Sequence, residues 1–380
     1  MTEYTIAAAA DEKDIVDFAN YVFSQAHRPH DFKTLLPKVY GQAGFADHHV
    51  IAKQEGKVVG LVGVLPFDLK VMNGHTLKGG YVGSVSVHPY HRGEGHMKKL
   101  MDMAVARSKA MGMDFMALGG QRQRYRYFGF ENGGTTLLFW ITRNNIQKEF
   151  NGRDSTNIAF VQLSNDEALT DAAFRLQQQE IMTGVRRRKE FITILESWEG
   201  SGYAVMENGR FTGYLYARDD EVPEWVLYDP GMIGVVLDAW MAAKSLSSIR
   251  IEAPLHAKQR IAVLEQFAEG YELTGAGMYR ILKWQKVLEA LLQFKCAMQG
   301  DQGDIDGAAV LEVIGEGRFR LQVSGGQASV TLTEESPDIS VTNTRAVAQL
   351  LSWPAAMTVE HPVLRRWLPL HIHVPAADRF

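Results

Sequence analysis

The stretch from Val85 to Lys98 constrains this chain more than any other. It reads Val85-Ser86-Val87-His88-Pro89-Tyr90-His91-Arg92-Gly93-Glu94-Gly95-His96-Met97-Lys98: a strand that stops at a proline, a tight turn through two glycines, and a helix. Gly93 and Gly95 lack the side chains that would keep backbone N–H groups away from a ligand, and the helix aims its unpaired N–H groups and positive dipole end at the same space. An anionic cofactor is expected there. A merely tight strand-to-helix turn would use the same glycines, and short glycine motifs are weak evidence taken alone.

The flanks put this turn between core elements. Tyr81, Gly83, Val85 and Val87 alternate along one face of the preceding strand, and Met97, Leu100, Met101, Ala104 and Val105 form an apolar stripe on the following helix, with Gly112 as its stop. A dinucleotide fingerprint would need GxGxxG and a P-loop GxxxxGK[ST]; neither occurs.

The turn resembles motif A of the GNAT superfamily of acyl-CoA-dependent N-acetyltransferases, whose VxPxxRxxGxG/A pattern is met by Val87, Pro89, Arg92 and Gly95. Met97 stands where many members carry a second Gly or Ala, so its side chain must turn into the core for the loop to stay open. Downstream, Tyr125-Arg126-Tyr127-Phe128-Gly129-Phe130 resembles the YxxxGF box after the fifth GNAT strand, and the apolar run Phe115 to Leu118 fits that strand. Gly119 and Gly120 would let it splay and admit a pantetheine arm. The resemblance implies acetyl-CoA as cosubstrate, held by Val85, Ser86, Val87, Arg92, Gly93, Glu94, Gly95, His96, Met97, Lys98, Gly120 and Gln121, with Tyr125 in the family's general-acid position.

With 380 residues, two or three domains are expected. A content of 46% hydrophobic and 22% charged residues is that of an ordinary globular protein, no apolar run is long enough to span a bilayer, and the first residues lack the features of an export signal, so a cytoplasmic protein is expected. The net charge of −4 argues against general nucleic-acid binding and suits cationic substrates. The single Cys296 rules out an internal disulfide framework and reads as a core thiol in an amphipathic helix.

Before the turn, a helix from Asp11 to Ala26 and strands at Val50 to Ala52 and Val58 to Val71 are expected. Thr135 to Thr142 reads as the last strand of the first domain, and Asn151 to Ser155 as a linker. Residues 151–285 repeat the same order of elements, with a helix through Asp171 to Thr183 and a hairpin at Glu207-Asn208-Gly209-Arg210. Their counterpart of the turn, Trp225 to Met232, lacks the arginine, as a noncatalytic scaffold would. Residues 286–380 change to a helix, three short strands and a further helix, an order that resembles a sterol-carrier-like domain.

The fold expected is therefore α/β with mixed sheets: a catalytic GNAT domain over 1–150, a degenerate GNAT-like domain over 151–285 and a sterol-carrier-protein-like domain over 286–380. This order, closing on Asp378-Arg379-Phe380, resembles the enhanced intracellular survival (Eis) family of N-acetyltransferases. The resemblance implies a homo-oligomer, a hexamer in that family, with the terminal carboxylate as proton acceptor and the tyrosine as donor, which fall here on Phe380 and Tyr125. The acceptor implied is a primary amine on an aminoglycoside-, polyamine- or lysine-like cation. A lipid-binding or acetyl-CoA-sensing protein without turnover is the rival reading.

Chemistry limits these roles. A tyrosine near pKa 10 passing its proton to a thiolate near 8.5 runs uphill by roughly 2 kcal/mol, so Tyr125 is first of all a hydrogen-bond donor. An α-carboxylate lies about 7 pK units below a lysine-like ammonium, so Phe380 would attract the amine and relay its proton through water. His88, His91 and His96 titrate near neutrality but lie where turn residues are usually solvated. His371 and His373, two apart on an expected strand, have no partner at metal-ligand spacing, and no metal is expected. Arg186-Arg187-Arg188-Lys189 reads as a solvated helix start, and Tyr21, Phe23 and Phe32 could border an acceptor pocket or pack in the core.

Overall fold

The strands split into three sheets, seen in a computed structural model that describes residues 1–25, 28–72, 74–150, 155–299 and 305–380. One compact unit holds Met1–Gly134, Gly275–Ile372 and Phe380; a second holds Thr135–Thr274 and His373–Arg379. The end of the expected first helix at Ala26, and the expected linker residues 151–154, lie outside the described residues.

In the first unit, strands Thr2–Ile6, His49–Gln54, Lys57–Val71, Thr76–Val87, Phe115–Leu118, Met278–Ile281 and Glu131–Asn132 lie side by side in that order. Helix Glu12–Ser24 buries Ile15, Phe18, Ala19 and Val22, an i, i+3, i+4, i+7 stripe. Helix His96–Ala110 buries Leu100, Met101, Ala104 and Val105 in a cluster with Val64, Val82, Met116 and Leu118 of the sheet. Thr76–Val87 pairs antiparallel with Lys57–Val71 on one side and parallel with Phe115–Leu118 on the other, which makes the sheet mixed.

The same unit contains helix Trp284–Gln299 and the four-stranded sheet Gln327–Leu332, Gly317–Ser324, Gly307–Ile314, Ile339–Thr342. The fourth of these strands was not expected: Ile339–Thr342 runs parallel to Gly307–Ile314, and four residues give too short a pattern to read. Nor does the expected boundary at 285 separate this region. The carboxylate of Asp114, 0% exposed, takes ion pairs from Lys283 and Lys286, and a Cβ on Gly133 would stand 3.4 Å from Leu351 and Val347 of helix Asn343–Leu351. Cys296 is buried, as a core thiol should be.

The second unit is built on strands Gly270–Thr274, Thr136–Thr142, Ser248–Pro254, Glu221–Leu227, Arg210–Arg218, Ser201–Glu207 and Ile158–Gln162. Asn208 and Gly209 both have positive φ, at 49° and 77°, and close the expected hairpin with Glu207 opposite Arg210. Helix Glu167–Gln177 stops six residues short of Thr183, because Met182–Gly184 is already a strand.

Two strand placements are corrected. Thr136–Thr142 pairs with Ser248–Pro254 and Gly270–Thr274, so it belongs to the second sheet; Met278–Ile281, within the stretch 151–285 expected to form the second domain, lies between Phe115–Leu118 and Glu131–Asn132 in the first. A run of apolar residues marks each as a strand packed on a core, and such a pattern does not say in which sheet.

The basic run is corrected as well. Arg186 is 4% exposed, forks onto Glu224 at 2.7 and 2.6 Å, and donates to Asp378 at 2.9 and 3.0 Å. Burial pushes the Glu224 carboxyl up, but Arg186 outweighs it and the group ends below the usual carboxylate range. Arg187 and Arg188 follow the solvated expectation, pairing at the surface with Glu190 and Asp171.

Candidate functional site

The site begins with a defect in a strand. Leu61 pairs with Ser86 and Gly63 with Gly83, so Thr76–Val87 spends one more residue than its partner between these pairs; Ser84 takes φ 49° there. Such a bulge interrupts the ladder and re-aims the backbone that follows it. On the other edge, the parallel pairing ends at Val82 with Leu118, yet the strand continues to Val87. The two strands part there.

A cleft of about 740 Å³ opens at the split. Val85, Ser86 and Val87 form one wall and Gln121 with Arg124 stand opposite; Arg92, Gly93, Gly95, His96 and Met97 close one end, and Val22 and Phe23 border it. Gly93 and Gly95 have φ 87° and 82°, values that side chains other than glycine adopt at a cost, and Gly95 caps helix His96–Ala110 without any side-chain bond to the first-turn N–H groups. Those groups therefore remain for a ligand. Together with Arg92 and Arg124 they make a cradle suited to phosphate oxygens. Met97 packs partly against the core while one side of it lines the cleft.

Glu94, Lys98, Gly120, Tyr125 and Phe380 lie outside this lining. The Glu94 carboxylate accepts from Gln54 at 3.1 Å and lies 3.1 Å from His91 Nδ1 and from His96 Nε2. His96 is 3% exposed, with Nδ1 2.7 Å from the Tyr4 hydroxyl, so its ring anchors the turn and is not solvated as expected. Lys98 rests over the ring of Tyr127.

Tyr125 sits on helix Arg122–Arg126 and is 8% exposed, inside the core cluster under helix His96–Ala110. A Cβ on Gly120 would meet its ring at 2.5 Å, which is why the glycine precedes it. Burial raises the phenol's pKa and Arg124 only partly offsets this, so Tyr125 is neutral at pH 7. Glu131, 2% exposed, holds the helix by pairing with Arg122 and Arg126.

Phe380 packs on the sheet beside the bulge. A Cβ on Gly83 would fall 2.3 Å from its Cγ and one on Gly63 2.5 Å from its Cε1, so the ring lies directly on backbone. Tyr40 and His49 flank it at ring-centre distances of 6.4 and 6.3 Å. The Tyr40 hydroxyl donates to Ser84 Oγ at 2.6 Å and lies 3.3 Å from His49 Nε2, which ties the bulge residue to the ring's surroundings. Burial lowers the pKa of His49 to about 4. Sequence reasoning missed Tyr40, His49 and Arg124; the two glycines at Gly63 and Gly83, one on each of two neighbouring strands, were the signal for a ring laid across them.

Other candidates separate cleanly. Phe32 is 1% exposed and belongs to the core, Phe23 borders the cleft, and Tyr21 is exposed and stacks on His88 at 5.3 Å. His371 and His373 are in irregular chain and not on a strand; His373 is buried, which lowers its pKa well below the usual value.

Residues 3–133 match the model of the acetyltransferase (GNAT) domain family. Three solved structures share the fold along their whole length. A GCN5-related N-acetyltransferase from Anabaena variabilis has 17% identity and a TM-score of 0.71, with 100% of both chains covered. A GCN5-related N-acetyltransferase from Kribbella flavida has 16% and 0.68, and Eis1 from Mycobacterium abscessus 14% and 0.67, again over 100% of each chain. No curated protein matches the chain in a sequence search. Among the described residues, no helix is long and apolar enough to cross a membrane.

Proposed function

We propose that the acetyltransferase domain moves an acetyl group from acetyl-CoA to a primary amine of a cationic acceptor, aminoglycoside-, polyamine- or lysine-like, by direct transfer. The observation that carries this is the cleft between Val85–Val87 and Gln121–Arg124, which ends on the uncapped N-terminus of helix His96–Ala110. One end suits a pyrophosphate. The split suits a pantetheine arm, and the bulge brings backbone N–H groups to where a thioester carbonyl would develop negative charge.

In this reading the amine nitrogen attacks the thioester carbon, the carbon–sulfur bond breaks, the sulfur leaves as thiolate and gains a proton, and the nitrogen loses one. Tyr125, held neutral, donates a hydrogen bond toward the departing sulfur. On the family resemblance, Phe380 supplies the carboxylate that attracts the ammonium and passes its proton through water. Residues 151–285 act as a noncatalytic module: a Cβ on Gly234, in the first turn of helix Ile233–Lys244, would meet the Phe150 ring at 2.1 Å, so an aromatic side chain occupies that position. Residues 286–380 form the sterol-carrier-like module, and the working form is a cytoplasmic homo-oligomer, a hexamer on the family resemblance.

Release of free thiol from acetyl-CoA across a panel of amines tests the reading. Tyr125→Phe and deletion of Phe380 should each lower kcat by about 10²-fold or more with acetyl-CoA affinity little changed. Full turnover in both variants, or no thiol release with any cationic amine, would overturn it.

A further inference from the structure

The side chains of the turn form a cluster at the edge of the cleft, which His91 and His96 line, and the chemistry of the transfer step gives these side chains no role. Among the described residues, His91, Glu94 and His96 are the one group of three His, Cys, Asp or Glu whose ligand atoms all lie within 4.8 Å of one another. His91 Nδ1 is 3.1 Å from Glu94 Oε1, and His96 Nε2 is 3.1 Å from Glu94 Oε2. Ligands on a tetrahedral ion with bonds near 2.0–2.1 Å stand about 3.3 Å apart, close to the separation of each nitrogen from its own Glu94 oxygen, and one ligand atom from each residue lies within 4.8 Å of the others.

We propose that His91, Glu94 and His96 form a site for a divalent transition metal, with Zn²⁺ as the cation best suited to two imidazoles and a carboxylate. A second observation supports it. The other nitrogen of His96 lies 2.7 Å from the Tyr4 hydroxyl, and ligating imidazoles regularly hold such an outer partner, which fixes the ring and its tautomer. Tyr4 can donate or accept, so it serves both states. Without metal, Tyr4 donates to Nδ1 and Nε2–H donates to Glu94; with metal, the ring takes its other tautomer, the Nε2 proton passing to solvent while Nδ1 takes one from solvent and donates it to Tyr4, so that the Nε2 lone pair turns to the cation with no net proton released. Gln54 Nε2, 3.1 Å from Glu94 Oε2, steadies the carboxylate in either case. Water fills the fourth position.

The site has a consequence for the turn. Glu94 is the only acidic residue from Val85 to Lys98, and it stands at a cradle suited to phosphate. A bound dication converts that local negative charge to a positive one, so metal and a phosphate-bearing cosubstrate should bind cooperatively. This second step rests on the acetyl-CoA reading above; the site itself does not.

Isothermal titration of the full-length, metal-free protein with Zn²⁺ tests the site directly, and Co²⁺ substitution followed by its visible spectrum reports the ligand set. One saturable equivalent is expected, weakened at least about tenfold in His91→Ala and Glu94→Gln, and measurably in Tyr4→Phe, which alters only the outer partner. No saturable binding, or equal affinity in Glu94→Gln, would overturn the site. Acetyl-CoA titrations with and without Zn²⁺ then read the linkage: tighter binding with metal in the unmodified chain and no change in Glu94→Gln is expected, and an unchanged affinity in both refutes it. If acetyl-CoA fails to bind even without metal, the cosubstrate reading falls while the Zn²⁺ titration still decides the site.

Discussion

Gly83 and Phe380 show how one missing side chain sets a site. The Phe380 ring fills the volume that a Cβ on Gly83 would enter, at 2.3 Å from Cγ, beside strand backbone that cannot move aside. Gly83→Ala should therefore expel the ring, with a stability cost of about 1–3 kcal/mol read by denaturant unfolding. On the proposed mechanism, kcat should fall more than acetyl-CoA affinity. His49 beside it gives a pH signature. Its folded pKa, about 4, is depressed below the unfolded value near 6.5, so the stability it confers is complete above pH 6.5 and is lost as pH falls toward 4. The whole shift is on the order of 3 kcal/mol. Thermal unfolding should show a falling Tm over that window, and His49→Gln should flatten the fall.

At the scale of elements, the strand, turn and helix around Gly93 and Gly95 act as one device. Both glycines have open space on the side where a Cβ would go, so their requirement is conformational: φ near 85° and not crowding. Gly95→Ala should cost roughly 1 kcal/mol of stability through left-handed backbone strain. It should also weaken acetyl-CoA binding with little change in kcat, a split that steady-state kinetics measures; an unchanged KM would show that the turn does not carry the cosubstrate. The turn, the Phe115–Leu118 strand and the Asn208-Gly209 hairpin were all legible, because each has a short-range chemical cause. The Ser84 bulge was not. Nothing in Gly83-Ser84-Val85 differs from an ordinary strand, and only pairing with Lys57–Val71 reveals the extra residue.

For the whole molecule, the order of strands in a sheet departs from their order in the chain. Met278–Ile281 stands between Phe115–Leu118 and Glu131–Asn132, so a fragment of residues 1–150 keeps the cleft's sequence and lacks an interior strand that joins Glu131–Asn132 to its sheet. That fragment should not fold cooperatively, while the full chain should; circular dichroism melting and amide exchange decide between them. In the second unit, Arg186 holds two carboxylates in one buried cluster. Arg186→Met leaves Glu224 and Asp378 unpaired and should destabilise that unit by about 3–5 kcal/mol, whereas replacing all three groups with apolar residues should recover much of the loss.

The sequence alone determined the elements and the chemistry of the turn: the glycines, Arg92, the apolar stripe of the helix and the YxxxGF box act through contacts a few residues apart, and such contacts leave spacing rules in the chain. Tertiary structure decided what depends on distant partners. It assigned two strands to sheets their position does not predict, buried Arg186 between Glu224 and Asp378, laid Phe380 on Gly63 and Gly83, and drew His91, Glu94 and His96 together with Tyr4. A strand's own alternation reports that it is buried. Which neighbour buries it is settled only when the whole chain packs.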